Sequence, residues 1–185
     1  IAAMHRGKFL DNLISVISTC GIAVPSFVIC TVLMYFLGVH LKILPTYGLT
    51  SWKHYVMPVM ALSFYPMAYI MRLMRSSMLD VLGQDYMRTC KAKGVSQAVS
   101  IFKHALRNAI LPVITYVGPM LAYTLTGSFV VEKIFTIPGL GGEFIGSISS
   151  RDYTVIMGTT IFLATLLIVM NVIVDIIYKI VDPRI

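Results

Sequence analysis

The chain has 185 residues, of which 57% are hydrophobic and only 12% are charged, and its mean hydropathy is +0.83. A soluble domain carries about a quarter of charged residues, so the composition argues against a water-soluble fold and makes lipid the expected solvent for most of the surface. The net charge of +7 lies mainly between uncharged blocks. That distribution favours a role in membrane topology over nucleic-acid binding.

Four long apolar stretches predict four membrane-spanning helices, because crossing the hydrocarbon takes about 20 residues of helix. Their approximate bounds are 13–39, 55–75, 109–131 and 153–178. The prolines in or at the ends of these spans are Pro25, Pro58, Pro66, Pro112 and Pro119. We interpret them as packing kinks, with moving hinges as the alternative. The sequence therefore predicts an all-α polytopic membrane protein.

The Lys and Arg residues are divided unequally between the loops, which predicts an orientation because cytoplasmic loops carry an excess of them. Eleven of the fifteen lie before residue 13, between residues 72 and 108, or after the last span. The remaining four are Lys42, Lys53, Lys133 and Arg151. We expect both ends of the chain and loop 76–108 in the cytoplasm. Loop 132–152 would lie outside, where a turn should precede a short helix near the outer surface.

Loop 76–108 is long for a simple turn and is patterned as two helices joined by a glycine turn. The first helix is predicted from Leu79 to Lys93, and Gly94 follows where the chain must turn. Ser96 can cap the second helix. Its apolar positions share one face and are Val99, Phe102 and Leu106. From the residues alone, this basic amphipathic element fits a lipid surface and a protein-docking role equally well.

The chain resembles binding-protein-dependent ABC transporter permeases, in particular the oligopeptide, dipeptide and nickel branch. The main evidence is the loop DYMRTCKAKGVSQAVSIFKHALRNAILPVIT, residues 85–115. Further similar blocks are GSFVVEKIFTIPGLG at 127–141, RDYTVI at 151–156 and NVIVDIIYKIVDPRI at 171–185. Family members usually have six spans, so the resemblance implies a fragment that holds the last four. Within the branch, the chain is most similar to the first permease subunit of oligopeptide importers.

The resemblance implies a permease subunit that moves peptides across the cytoplasmic (inner) membrane of a prokaryote by alternating access. The implied partners are a homologous second permease, two ATPase subunits and an extracytoplasmic peptide-binding protein, besides membrane lipid. ATP and Mg would be held by the ATPase subunits and no cofactor by this chain. We expect no catalytic and no metal-binding residue, since GxxxxGK[ST], HExxH, CxxC and GxSxG motifs are missing.

The resemblance also implies two sets of functional residues. The ATPase-coupling loop would comprise Asp85, Arg88, Thr89, Cys90, Ala92, Lys93, Gly94, His104, Leu106, Arg107 and Asn108. The external gate or docking loop would comprise Pro138, Gly139, Leu140, Gly141, Arg151 and Asp152. Within the second set, Gly139 and Gly141, together with Gly142, permit backbone conformations closed to other residues, so we expect a sharp turn there.

Three alternatives remain at this point. A nickel or metallophore importer would share the same loop and would need no metal ligands in its permease. A secondary transporter would need charged residues at mid-membrane, and the central parts of the four predicted spans contain none. A membrane-embedded enzyme is disfavoured by the missing motifs. Asp175 lies four residues before Lys179, so we expect a local ion pair, with a functional carboxylate as the alternative.

Overall fold

The computed structural model describes residues 2–181, and within them every regular element is a helix. In chain order these elements are a short 3₁₀ helix Ala2–His5, α1 Phe9–Ala23, α2 Ser26–Leu33 with a π-helical continuation Met34–His40, α3 Lys53–Leu82, α4 Asp85–Ala92, α5 Gln97–Val99 with a π-helical continuation Ser100–Ala105, α6 Leu106–Ala109, α7 Leu111–Leu125, α8 Phe129–Phe135, α9 Leu140–Ser150 and α10 Tyr153–Val181. The predicted all-α membrane architecture is confirmed.

Two of the helices, α3 and α10, are long and apolar enough to cross a membrane by themselves. Two bent helix pairs, Phe9–Ala23 with Ser26–His40 and Gln97–Ala109 with Leu111–Leu125, pass the same test of length and composition as pairs. The described part of the chain therefore has two candidate spans, or up to four if each bent pair makes one crossing.

The first predicted span, 13–39, is wrong as a single helix, because the chain bends by 102° between α1 and α2. Val24 and Pro25 are both extended, with ψ of 122° and 144°. Proline has no backbone N–H and disfavours a helical conformation in the residue before it, so the break falls at this pair. Pro58 and Pro66 lie inside α3, which continues through both. The helix thus breaks at Pro25, whereas α3 accommodates Pro58 and Pro66 without a break.

The other boundary corrections have equally local causes. The predicted span 109–131 ends early at Leu125, because Gly127 has a φ of +86°, which ends the helix before α8 begins. The loop predicted to start at residue 76 starts later, since α3 continues to Leu82. The first loop helix is consequently α4 alone, and the expected helix from Leu79 to Lys93 is wrong because Gly83 separates it into two elements.

Close contacts between small residues hold the long helices together. A Cβ on Gly21 of α1 would lie 2.5 Å from the Cβ of Ala68 in α3. A Cβ on Gly118 of α7 would overlap the side chain of Val174 in α10. Such positions let helix backbones approach closely, which is how membrane helices gain packing energy where no hydrophobic effect operates between them.

Two hydrophobic clusters lie at the two ends of α3. One contains Met57 and Ala61 of α3 and packs against α2 and α8; the other contains Met78 and packs against the helix that follows Gly94. Helical rise puts Met57 and Met78 about 30 Å apart, which is the thickness of the hydrocarbon core. Residues 83–109 and the segment α8–α9 are therefore held at opposite ends of this candidate span.

Candidate functional sites at the two ends of helix α3

Residues 83–109, the basic segment, form the first site. Its helices α4, α5 and α6 connect α3 to α7. Its cationic side chains are Arg88, Lys91, Lys93, Lys103 and Arg107. Several of them lie on an exposed surface, so this end of the molecule presents a concentration of positive charge.

The turn of the basic segment lies at Gly94, as the sequence indicated. Gly94 has a φ of +71° and is exposed, and a Cβ built on it would meet nothing within 4 Å. The amide of Val95 donates to the Cys90 carbonyl at 3.1 Å, which closes the end of α4. Glycine is favoured here by its backbone conformation and not by lack of space. Ser96 occupies the N-cap of α5, but its hydroxyl makes no capping hydrogen bond.

The helical stretch after Gly94 has one face turned to the protein and one turned away. Its buried residues are Ser100, Ile101, Ala105 and Ala109. The apolar positions singled out in the sequence lie elsewhere: Val99 is 44% exposed and Phe102 is 72% exposed, and Leu106 is half-buried against the cluster. The basic segment therefore offers an exposed apolar surface beside its cations, and the described residues 2–181 leave Val99 and Phe102 largely uncovered.

The remaining residues of the predicted coupling loop lie on both sides of the Gly94 turn. Asp85 and Arg88, both largely exposed, are 3.5 Å apart as an ion pair, and the Thr89 hydroxyl donates to the Asp85 carbonyl at 3.1 Å. The Asn108 amide donates to the Tyr86 hydroxyl at 2.9 Å, which ties α6 back to α4. Of the others, Cys90 and Ala92 lie in α4 and Lys93 follows it directly. His104 and Arg107 lie in the helical stretch after Gly94.

The second site lies at the other end of α3, where α8 and α9 meet. Glu132 in α8 is buried, with 8% of its surface exposed, and its Oε2 accepts a hydrogen bond from the Gly142 amide at 2.7 Å. Gly142 is the third residue of α9, so this carboxylate lies at the positive end of that helix. Thr136 adopts a left-handed φ of 55°, which turns the chain between the two helices.

Glycines surround this carboxylate. A Cβ on Gly139 would lie 2.5 Å from the Glu132 Cδ, and one on Gly127 would overlap the Glu132 Oε1. A Cβ on Gly141 would lie 2.7 Å from the Phe129 amide nitrogen. Gly139, Gly141 and Gly142 do not use the backbone freedom that glycine permits, because none of them has a positive φ and that of Gly139 is −158°. Gly139 and Gly141 are needed for space, whereas a Cβ on Gly142 would make an ordinary contact, 3.5 Å from the Glu132 Oε2.

The expected turn followed by a short helix is present as residues 136–139 and α9. Pro138 and Leu140 are exposed at its start. Arg151 ends α9 in the left-handed conformation, with a φ of 58°. The Asp152 carboxylate then accepts from the amides of Thr154 and Val155 at 3.0 and 3.2 Å. Arg151 and Asp152 thus form the junction that starts α10.

Sequence reasoning missed a buried ion pair near the basic segment. Asp11, 1% exposed, accepts two hydrogen bonds from the Arg75 guanidinium, at 2.6 and 2.7 Å, and a third from the Gly7 amide at 2.9 Å. The pair fastens the start of α1 to α3. An acidic residue at the edge of an apolar span was the only available signal, since the two residues are 64 positions apart.

A cleft of about 930 Å³ opens between α3, α7 and α10. Tyr69 and Tyr116 pack there with ring centroids 4.3 Å apart, and the Tyr178 hydroxyl donates to a backbone carbonyl of α7 at 3.0 Å. Asp175 and Lys179 line the same cleft. The ion pair expected between them is not formed; both side chains are exposed, where such a pair gains little.

Comparison with known proteins identifies the family of this chain. Residues 1–185 match the family described as binding-protein-dependent transport system inner membrane component. The chain is 52% identical over 185 residues to the dipeptide transport system permease protein DppB of Bacillus subtilis (strain 168), covering 100% of this chain and 60% of that protein. It is 45% identical over 184 residues to DppB of Lactococcus lactis subsp. cremoris (strain MG1363), covering 100% and 61%.

The third comparison is with a protein named for a different solute. The chain is 41% identical over 185 residues to the glutathione transport system permease protein GsiC of Escherichia coli (strain K12), covering 100% of this chain and 60% of that protein. This chain thus spans about 60% of the length of these relatives. The resemblance carried by residues 85–115 is confirmed. The chain belongs to the family of binding-protein-dependent transport system inner membrane components.

Proposed function

We propose that this chain is part of the membrane subunit of an ATP-driven importer for short peptides. Its basic segment binds a cytoplasmic ATPase subunit, and the α8–α9 segment faces an extracytoplasmic peptide-binding protein. The observation that carries the proposal is the exposed apolar surface at Val99 and Phe102, set among cations. A large exposed apolar side chain beside polar groups is typical of a protein interface.

The orientation rests on the loop charges. In the sequence, eleven of the fifteen Lys and Arg residues lie in the basic segment, just before it, or in the two ends of the chain predicted to share its side, which favours the cytoplasm for that side. The segment α8–α9 lies at the far end of α3 and carries Lys133, with Arg151 directly after it. Peptides as solutes are supported by the relatives, whose names specify dipeptide and glutathione transport.

The packing of the basic segment offers a route from an ATPase to the spans. Ile101, Ala105 and Ala109 pack against the end of α3. The same stretch continues into α7 across a bend of 47°. A partner that moves the exposed face at Phe102 therefore moves the buried face against α3 and α7 together, without any chemical step on this chain. Alternating access follows when such a motion opens one end of the spans and closes the other.

The docking role of Phe102 can be tested in the complete transporter. Phe102→Ser should lower co-purification of the ATPase more than about tenfold, because truncating a central aromatic anchor costs about 2 kcal/mol or more. Tyr153→Ser is the control, since Tyr153 is 71% exposed, much as Phe102 is, and starts α10 directly after α9. Equal ATPase recovery from both variants and the unaltered protein would contradict docking at this surface.

The transport class is tested in reconstituted vesicles. Uptake of a labelled dipeptide should require internal ATP and the external binding protein, and it should persist when ion gradients are collapsed. Uptake that follows an ion gradient without ATP would instead establish a secondary transporter. ATP-dependent uptake of a nickel complex with no peptide uptake would establish the metallophore alternative.

A further inference from the structure

We infer that Glu132 is a positioning residue that fixes α9 against α8, and that Gly127, Gly139 and Gly141 keep open the space this arrangement needs. Nothing in the sequence singled out this carboxylate. Its role follows from three observations: its burial with a hydrogen bond to the start of α9, the crowding of Gly139 against it, and the packing of its neighbours in α8 against α3. The consequence for transport rests on the proposed function, whereas the structural role does not.

The first observation concerns a buried charge. Glu132 is 8% exposed, and its carboxylate lies against the first turn of α9, where the Gly142 amide donates to it at 2.7 Å. Burying a carboxylate is costly unless donors compensate it, and a helix N-terminus supplies both donors and a favourable dipole. If α9 moved away from α8, the carboxylate would lose this compensation. Glu132 therefore favours one relative position of the two helices.

The second observation concerns Gly139. Its φ of −158° is ordinary extended backbone, so no conformational rule demands glycine there. A Cβ would nevertheless lie 2.5 to 2.8 Å from the Cδ and both oxygens of Glu132. Any side chain at this position would displace the carboxylate from the Gly142 amide. Glycine at position 139 is thus explained by Glu132 and by nothing in its own backbone.

The third observation links this site to the rest of the bundle. Val131 and Phe135, on either side of Glu132 in α8, are buried in the cluster with Met57 and Ala61 of α3. The Ile137 amide donates to the Glu132 carbonyl at 2.9 Å, which also fixes the turn between the helices. Glu132 consequently connects the position of α3 to that of α9. In the proposed importer, this connection would set how α9 is presented to the external binding protein.

The test compares Glu132→Ala, Gly139→Ala and their double variant by hydrogen exchange of the α9 amides in the complete transporter. Each single variant should accelerate exchange of the first turn of α9, residues 140–143, by about tenfold, as expected for loss of a charge-assisted hydrogen bond. If Gly139→Ala acts only by displacing the carboxylate, adding it to Glu132→Ala should change nothing further. Gly146→Ala is the control, because a Cβ there meets nothing within 4 Å.

A functional readout distinguishes positioning from a general loss of stability. In Glu132→Ala, the concentration of binding protein that gives half-maximal stimulation of ATP hydrolysis should rise about tenfold, while basal ATP hydrolysis stays unchanged. Glu132→Gln, which keeps an acceptor for the Gly142 amide, should retain most of the exchange protection, and Gly139→Ala carries the test if Glu132→Ala does not fold. The inference is overturned if Glu132→Ala and Gly139→Ala exchange like the unaltered protein, or if Gly139→Ala is equally damaging with and without Glu132. The exchange rates of the single and double variants do not depend on transport. The inferred structural role of Glu132 would therefore stand even if the importer assignment failed.

Discussion

Two turns at opposite ends of α3 use glycine for different physical reasons. Gly94, in the basic segment, has a φ of +71° and open space around its Cβ position. Gly139, before α9, has a φ of −158° and no space, because the Glu132 carboxylate fills it. The first turn constrains backbone conformation and leaves a surface open to a partner. The second constrains volume and fixes two helices together, so substitutions at the two turns should fail in different ways.

The largest effect is expected from Gly141→Val, which tests whether a glycine near Glu132 is needed for space. A Cβ at this position would lie 2.7 Å from the backbone nitrogen of Phe129, and backbone cannot rotate away as a side chain can. Overpacking of this kind typically costs about 1–3 kcal/mol or more, so we expect peptide uptake in vesicles to fall at least about tenfold. Gly146→Val, in the same helix but facing open space, should retain uptake.

Co-purification of the ATPase should be unchanged in Gly141→Val, because the affected contact lies at the end of α3 away from the basic segment. If both valine variants lose uptake equally, α9 tolerates no branched residue and the argument from volume fails. If neither does, the α8–α9 contact is not needed for transport.

An intermediate effect is expected at Gly94, where conformation and charge can be separated. Asn tolerates a positive φ better than most residues, so Gly94→Asn should lower ATPase co-purification only about twofold. Gly94→Asp has nearly the same shape but places a negative charge on a basic, exposed turn, and we expect a loss of about tenfold. Membrane insertion should be normal in both. Equal behaviour of the two variants would show that charge at this surface does not guide docking.

The two turns also differ in how well the sequence alone predicted them. Gly94 was predictable, because a glycine that ends one helix before the cap of the next is a local pattern. The chain gave no such pattern for Glu132, whose partner Gly142 is ten residues away and on another helix. The carboxylate lies within a block that resembles the family, yet the likeness gave it no role. Its burial, its hydrogen bond to the Gly142 amide and the glycines around it did.

Contacts between distant parts of the chain could not be predicted either, because a sequence pattern does not show which helices pack together. Asp11 and Arg75 are 64 positions apart, and hydrophobic periodicity does not pair residues on different helices. Apolar length did predict the helical stretches, but not that Pro25 ends a helix while Pro58 and Pro66 lie inside one. The outcome at each proline depends on the neighbours available to satisfy freed backbone groups. Those neighbours are known only once the helices are packed.

The smallest functional effect, and the most direct test of the comparison, is expected from single cysteines at Gln97 and Gly146. Both positions are exposed, and a Cβ on Gly146 meets nothing within 4 Å, so each cysteine should change uptake less than about twofold, as is usual for surface substitutions. The two positions should nevertheless differ completely in accessibility. An impermeant thiol reagent added to intact cells should label Gly146→Cys and leave Gln97→Cys unlabelled until the membrane is opened.

The labelling needs a background in which the native thiols are replaced, since Cys20 is exposed and Cys90 lies within the basic segment. The expected sidedness follows from the eleven cations in the segments that the sequence predicts on the side of the basic segment, which favour retention in the cytoplasm. It also follows from the length of α3, whose 30 residues extend about 45 Å and can hold the two turns on opposite sides of a bilayer. Labelling of both cysteines from outside would show that α3 does not separate them. Labelling of Gln97→Cys alone would invert the orientation and move the proposed ATPase surface to the wrong side of the membrane.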